Sequence, residues 1–317
     1  MLKDEFKQIL EQISQQIGSL PKGDRLLETL RQNQDYIALL DCQEIREIEA
    51  IKADYGTAPQ SLEGKAISTD FHQYLDQVIN PKIARGEITD GSRLGDYDDR
   101  KARWSGAGIT GHWRVENQTL FLEVGPTLYP DYALDLRRDK TEALQLILRG
   151  LIESRDPYAY FSKAIGVTVV PISQEGSVYI GERAKQVDNP GLLNFVAGLA
   201  TFHERLENIN FYADIQQELK EEIGIDLNVN VKNTRFIGIA GNPWSSENDL
   251  VFATVTAYPD RHFETFPLIE HTRFVPLRNK NEVKRLLDQG LLPNDEQSHA
   301  IAYGSRMALE YLANHHF

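Results

Sequence analysis

The chain has 317 residues, 41 % hydrophobic and 26 % charged, a composition ordinary for a soluble globular protein of about two domains. Its formal net charge of −13 and pI of about 5.1 exclude nonspecific nucleic-acid and membrane binding, and an anionic ligand would need a local metal or a few arginines. A lone cysteine, Cys42, excludes an intramolecular disulfide and a multi-cysteine zinc site.

The N-terminus, MLKDEFKQIL, lacks a long apolar segment, and no run approaches the ~18 apolar residues of a membrane span, so a cytoplasmic protein is expected. Residues 1–55 read as a helical N-terminal segment. Phe6, Leu10, Ile13 and Ile17 step by four, three and four, and RLLETLRQNQDYIALL and CQEIREIEAIKADY continue in that style. Cys42 reads there as a helix-packing residue. The segment is a candidate homodimerisation arm or packs on the rest of the chain, and the residues leave both open.

Residues 56–158 read as a mixed region. DFHQYLDQVI is expected as helix, GSRLGDYDDRKARWSGAGITG as loop and TLFLEV as strand. Pro126 and Pro130 are expected to break regular structure in GPTLYPDYALDLRRD. TEALQLILRGLIES follows as a helix capped by Thr141, with Glu142 in its first turn. From 159 to 317 the pattern changes. KAIGVTVVPI and SVYIGER form a hairpin about QEG, and TRFIGIAG, DLVFATVTAY and RFVPLRN are further strands. The helices NEVKRLLDQG and SHAIAYGSRMALEYLANH close the chain. This order predicts an α+β class built on a mixed sheet.

The chemistry is concentrated in QQELKEEIGI. At ~100° per residue, Glu218 and Glu222 share a face, and Glu221 neighbours Glu218 at i+3. Like charges at these spacings cost roughly 0.2–0.5 kcal/mol per pair, and the macrodipole disfavours acids in a last turn. Gly224 is expected to cap the helix, and Phe211, Ile215, Leu219 and Ile223 make its buried stripe. Glu222 projects inside that stripe and Glu218 at its edge. Half-buried carboxylates need a partner, and a hard divalent cation such as Mg²⁺ supplies one. The competing reading is a solvated acidic face.

Upstream, Gly198 and Glu204 stand in G-x5-E. Together with Gln217, Glu218, Leu219, Glu221, Glu222, Gly224 and Ile225, the run resembles the box G-x5-E-x7-R-E-U-x-E-E-x-G-U of the Nudix hydrolases. Two departures stand out. Twelve residues, rather than seven, separate Glu204 from the position of the family's arginine, and that position holds Gln217. Within the family, such a lengthened box with glutamine is similar to that of the animal members that hydrolyse UDP-glucose and UDP-galactose.

The resemblance implies an α/β/α sandwich over 159–317, preceded by an N-terminal helical and partly β extension. It implies Mg²⁺- or Mn²⁺-dependent cleavage of the pyrophosphate of a nucleoside diphosphate-X compound. Glu218, Glu221, Glu222 and the Gly198 carbonyl would be metal ligands, and Glu221 a ligand or water-activating base. A UDP-sugar giving UMP and a sugar 1-phosphate is the favoured substrate. ADP-ribose or another NDP-sugar, and a non-catalytic nucleotide-binding or regulatory module, are the alternatives.

Arg183 is the first candidate for the phosphates, with Arg137 and Arg138 behind it; each also reads as a surface arginine. Trp244, in GNPWSSEND, is a candidate base platform or a core cover. Tyr129 and Tyr132 are candidates to reach the site or to pack, and Glu270 to act as a loop-borne base or a surface acid. His203 and His271 form no zinc motif and receive no role.

Overall fold

The computed structural model describes residues 2–41, 48–55, 60–62, 65–67, 81, 84–85, 100–105, 113–185, 187, 189–203, 209–226 and 234–316. Cys42, Glu204 and the expected helix DFHQYLDQVI lie outside them. The chain opens with α1 (Leu2–Ile17) and α2 (Gly23–Arg31), then β1 (Ile37–Leu40), β2 (Ala50–Tyr55), β3 (Gln60–Leu62) and β4 (Lys65–Ile67). Next come β5 (Arg100–Trp104), β6 (Trp113–Glu116), β7 (Thr119–Leu128), α3 (Tyr129–Arg137) and α4 (Lys140–Ser154). The remainder runs β8 (Ile165–Ile172), β9 (Val178–Arg183), β10 (Leu193–Asn194), β11 (Val196–Leu199), α5 (Phe211–Ile223), β12 (Thr234–Gly241) and β13 (Asn248–Val255). It closes with α6 (Asp260–Thr265), β14 (His271–Leu277), α7 (Lys280–Gln289) and α8 (Tyr303–His315).

Among the described residues the main sheet has eight strands in the order β1-β12-β13-β8-β9-β10, with β11 added to β8 and β14 to β9. β13 and β8 are parallel and the other pairs antiparallel, so the sheet is mixed. Both of its faces are covered. On β8 and β13, Val167, Val169, Leu250 and Phe252 join a core with α1, α2, α4 and α5; Val170, Ile172, Val251 and Ala253 join another with α7 and α8. Period-2 alternation with both faces apolar makes these strands near-continuous hydrophobic runs. The result is an α/β/α sandwich on a mixed sheet, of α+β class.

The expectation of helix throughout 1–55 is corrected: Ile37–Leu40 and Ala50–Tyr55 are strands. β1 is an edge of the main sheet, pairing Ile37 with Gly241, and β2 runs parallel to β7. Tertiary pairing has overridden the local pattern, as it readily does in short apolar runs. The loop expected across 91–111 contains β5 from Arg100 to Trp104. Neither proline breaks structure as expected. Pro126 lies within β7 and Pro130 within the first turn of α3, where a missing N–H costs no helical bond. The cap of α4 is Asp139, whose carboxylate accepts from the amides of Thr141 and Glu142, so Thr141 is the second helical residue.

A second sheet, of four strands among the described residues, is built on β7, which pairs with β2, β5 and β6. β5 also fastens it to the main sheet. Ala102 N donates to Ala200 O at 2.7 Å and Trp104 N to Lys163 O at 2.8 Å. The expected hairpin of β8 and β9 forms but splays, pairing only Ile172 with Val178. Further along, β10 lies on β9 and β11 lies on β8, so residues 193–199 cross from one strand to the other and carry Gly198 with them.

Candidate functional site

The acidic helix α5 is fixed at both ends. Asn210 Oδ1 accepts from the amides of Tyr212 and Ala213. Gly224 ends it at φ 66°, a left-handed conformation that glycine adopts without strain. Phe211, Ile215, Leu219 and Ile223 are each at most 1 % exposed. Burying side chains of this size contributes roughly 1.5–3 kcal/mol apiece, which fixes the rotation of the helix. That rotation turns the acids toward β11.

Glu218 and Glu221 line a cavity of about 860 Å³, with Gly198 on its wall. A Cβ on Gly198 would sit 2.0 Å from Glu218 Oε1, so the strand and the carboxylate are in direct contact. Glu222 is buried behind them at 3 % exposure, and its Oε1 accepts from the Ala197 amide at 3.2 Å. Among the described residues its Oε2 has no hydrogen-bond partner; His271 Nδ1 stands 3.5 Å away. Gln217 Nε2 donates to Glu221 Oε1 at 2.9 Å.

Charge at this site is held at a cost. Burial pushes Glu218 up to about 7, with Glu221 and Glu270 adding to the rise. Glu222 is raised well above its usual range by burial and then by Glu270 and Glu218, against the opposing pull of the Ala197 amide and Arg183. One turn earlier Asp214 is pushed up to about 6 by burial, although the Thr201 amide bonds to it. His271, unassigned from sequence, is lowered to about 4 by burial and by Arg183, so it is neutral beside Glu222.

Of the other expected residues, Arg183 lines the cavity and pairs with Glu270, also on the lining, at 3.1 Å. Tyr129, Tyr132 and Arg137 come to the wall on α3, and Lys101 on β5, so the second sheet and its helix complete the site. Arg138 turns instead to an ion pair with Asp135. Trp244 corrects the expectation of a base platform. It is absent from the lining, 6 % exposed and packed against Phe6, and its Nε1 donates to Gln34 O at 2.7 Å.

Sequence reasoning passed over Glu247, Asp249 and Tyr303. All three line the cavity. Asp249 accepts from Tyr303 OH at 2.7 Å and from Thr168 Oγ1 at 2.5 Å, and sits where a Cβ on Gly166 or Gly304 would be. Burial and the Asp249 charge push Glu247 up to about 8; burial pushes Asp249 up to about 6. The available signal was the spacing E-x-D at a strand start, two acids entering an otherwise apolar run.

Three carboxylates and a main-chain carbonyl are the oxygen donors that a hard divalent cation takes, and Glu222 Oε2, without a hydrogen bond among the described residues, fits that chemistry. Among the described residues no three His, Cys, Asp or Glu side chains already converge as a metal site. No helix among them is long and apolar enough to cross a membrane.

No known family profile matches the chain, and no curated protein does. Solved structures do match. DR0079 from Deinococcus radiodurans is 13 % identical with a TM-score of 0.37, covering 66 % of this chain and 98 % of its own. A NUDIX hydrolase from Alicyclobacillus acidocaldarius is 15 % identical with a TM-score of 0.34, covering 47 % and 90 %. The NUDIX domain of Shewanella oneidensis NrtR, complexed with ADP ribose, is 11 % identical with a TM-score of 0.32, covering 51 % and 94 %. At these scores none of them fixes a family or a residue's role.

Proposed function

We propose that this chain is a Nudix-type hydrolase that cleaves the pyrophosphate of a nucleoside diphosphate-X compound with a divalent cation. One observation carries the reading. Gly198 and the acids Glu218 and Glu221, twenty or more residues apart in sequence, meet at one cavity wall, with Glu218 against Gly198 and Glu222 buried behind them on the Ala197 amide. Glu218, Glu221, Glu222 and the Gly198 carbonyl would hold Mg²⁺ or Mn²⁺. Such an ion, when bound, stabilises charge on the attacking and leaving oxygens of a phosphoryl transfer.

The chain's own residues supply the remainder. Arg183, Lys101 and Arg137 face the cavity and offer cations to the phosphates. Gln217 holds Glu221 by a neutral hydrogen bond in the position of the family's arginine, leaving the carboxylates' repulsion to be met by the metal. Glu221 or Glu270 accepts the proton of the attacking water. The favoured substrate is a UDP-sugar giving UMP and a sugar 1-phosphate, with ADP-ribose or another NDP-sugar next.

A panel of UDP-sugars, ADP-sugars, ADP-ribose and NADH, with phosphatase-coupled phosphate release, tests this with and without Mg²⁺. Metal-dependent turnover lost in E222Q is expected; full activity in E222Q would overturn the ligand assignment. Gln217 favours one second reading, a nucleotide-binding module without catalysis. Binding of a nucleotide with no turnover across the panel would select it.

A further inference from the structure

Glu247, Asp249 and Tyr303 lie on the cavity but outside the variant box, and the reaction just described gives them no task. We infer that these three residues, with Tyr129 and Tyr132 from α3, form the subsite for the group X, and that X is a hydroxyl-rich sugar ring. The inference rests on the proposed hydrolase reading and extends it.

Position is the first argument. Strand register sets Asp249 opposite Gly166 and Gly166 opposite Leu199, so one level of the sheet runs β13, β8, β11. Two strand spacings separate Asp249 from the Gly198–Leu199 stretch, about 10 Å. That is about the reach of a pyrophosphate carrying one sugar ring. A ligand cleaved beside Gly198 and Glu218 would therefore bring its X group to Asp249.

Chemistry is the second. Buried carboxyl groups give a phosphate no cation to pair with, and both the ionised Asp249 and the protonated Glu247 can hydrogen-bond sugar hydroxyls. Glu247 and Asp249 are 7 % and 6 % exposed, and their bonding is shared with tyrosine hydroxyls that can both donate and accept. The rings of Tyr129 and Tyr132 lie 5.8 Å apart on the wall and supply flat apolar area to the C–H face of a sugar. Of the phosphate-binding cations, Arg183 and Lys101 come from other elements of the same lining, β9 and β5, and Arg137 stands at the far end of α3 from Tyr129.

Shape is the third. Gly166 and Gly304 leave the Asp249 carboxylate its seat, since a Cβ at either would come within 2.4 Å of its oxygens. The start of β13 is thus built around a carboxylate held at the cavity wall.

The test compares matched substrates on the full chain with Mg²⁺: UDP-glucose against UDP-ethyl ester, and ADP-ribose against ADP-ethyl ester. E247Q and D249N are read as the ratio of kcat/KM for sugar over alkyl X, with Y129A as a half-buried variant should either buried variant fail to fold. At least a tenfold fall in that ratio is expected. Equal losses on both members of a pair, or none, would overturn the sugar subsite while leaving the hydrolase reading standing. Wild-type protein that turns over no member of either pair would overturn both.

Discussion

Glu218 rests its carboxylate on the α-carbon of Gly198, closely enough that a methyl group there would lie 2.0 Å from Oε1 and 2.8 Å from Oε2. Neither the helix nor the strand carries the site alone; their contact does. Gly198→Ala should displace the carboxylate while leaving the strand intact, because Gly198 has no left-handed backbone to lose. Displacement of a catalytic group by about 1 Å costs on the order of 10²-fold in rate. A fall of that size in kcat with little change in Tm is expected. An unaltered kcat would mean that the contact is incidental.

Stability should depend on pH in a direction set by the raised acids. Folded Glu218 keeps its proton up to about 7 against an ordinary value of 4.5, so over that window the native state binds more protons than the unfolded one. Stability is therefore fully present below 4.5 and falls as pH rises toward 7, with Glu247 extending the fall toward 8. Calorimetry in chelator should give a lower Tm at pH 8 than at pH 5, and a flatter profile for E218Q. Mg²⁺ should raise Tm more at pH 8, where protons no longer compete. A Tm indifferent to Mg²⁺ at pH 8 would remove the metal from the account.

Arg183 bridges cavity and loop through Glu270 at 3.1 Å. Arg183→Ala removes a charge-assisted donor worth roughly 1.5–3 kcal/mol, or about 10–100-fold in kcat/KM. Arg183→Lys should recover only part, since a point charge cannot reproduce the guanidinium fork. Steady-state kinetics on the preferred substrate decides, and equal activity of both variants with wild type would place Arg183 outside substrate binding.

Trp244 should behave as a core residue. Its ring packs with Phe6 and under Lys140, 4.7 Å from the ring centroid, and its indole N–H is bonded. Trp244→Ala should cost about 3–5 kcal/mol in a urea titration. At a temperature where both proteins are folded, KM should stay within about twofold. A large rise in KM with unchanged stability would restore the base-platform role.

What could be read from sequence follows from where the information is local. The acids of α5 share one helix, and their i, i+3 and i, i+4 spacing declares both their shared face and the cost of placing them there. Strands 165–172 and 248–255 announce themselves as short apolar runs between turn residues. Ile37–Leu40 did not, because four apolar residues at the end of a helical pattern fit either period until β12 is seen to pair with them. Glu247 and Asp249 were silent for a related reason. Asp249 takes its meaning from Gly166 and Thr168, some eighty residues earlier, which only strand register brings alongside, and Glu247 from Tyr132 and Tyr303. Trp244 showed the reverse: a loop aromatic looks available in sequence, and Phe6 and Gln34, from the other end of the chain, claim it.

The double allegiance of β5 reaches beyond geometry. Its residues serve β7 along one side and meet Ala200 and Lys163 on the other, so one strand is a seam shared by two sheets. A chain shortened to 159–317 would lose Lys101 and bare those carbonyls as an open edge, an invitation to self-association. The N-terminal extension and the sheet that carries the acidic helix are therefore joined through one strand, and neither keeps its edge covered without it.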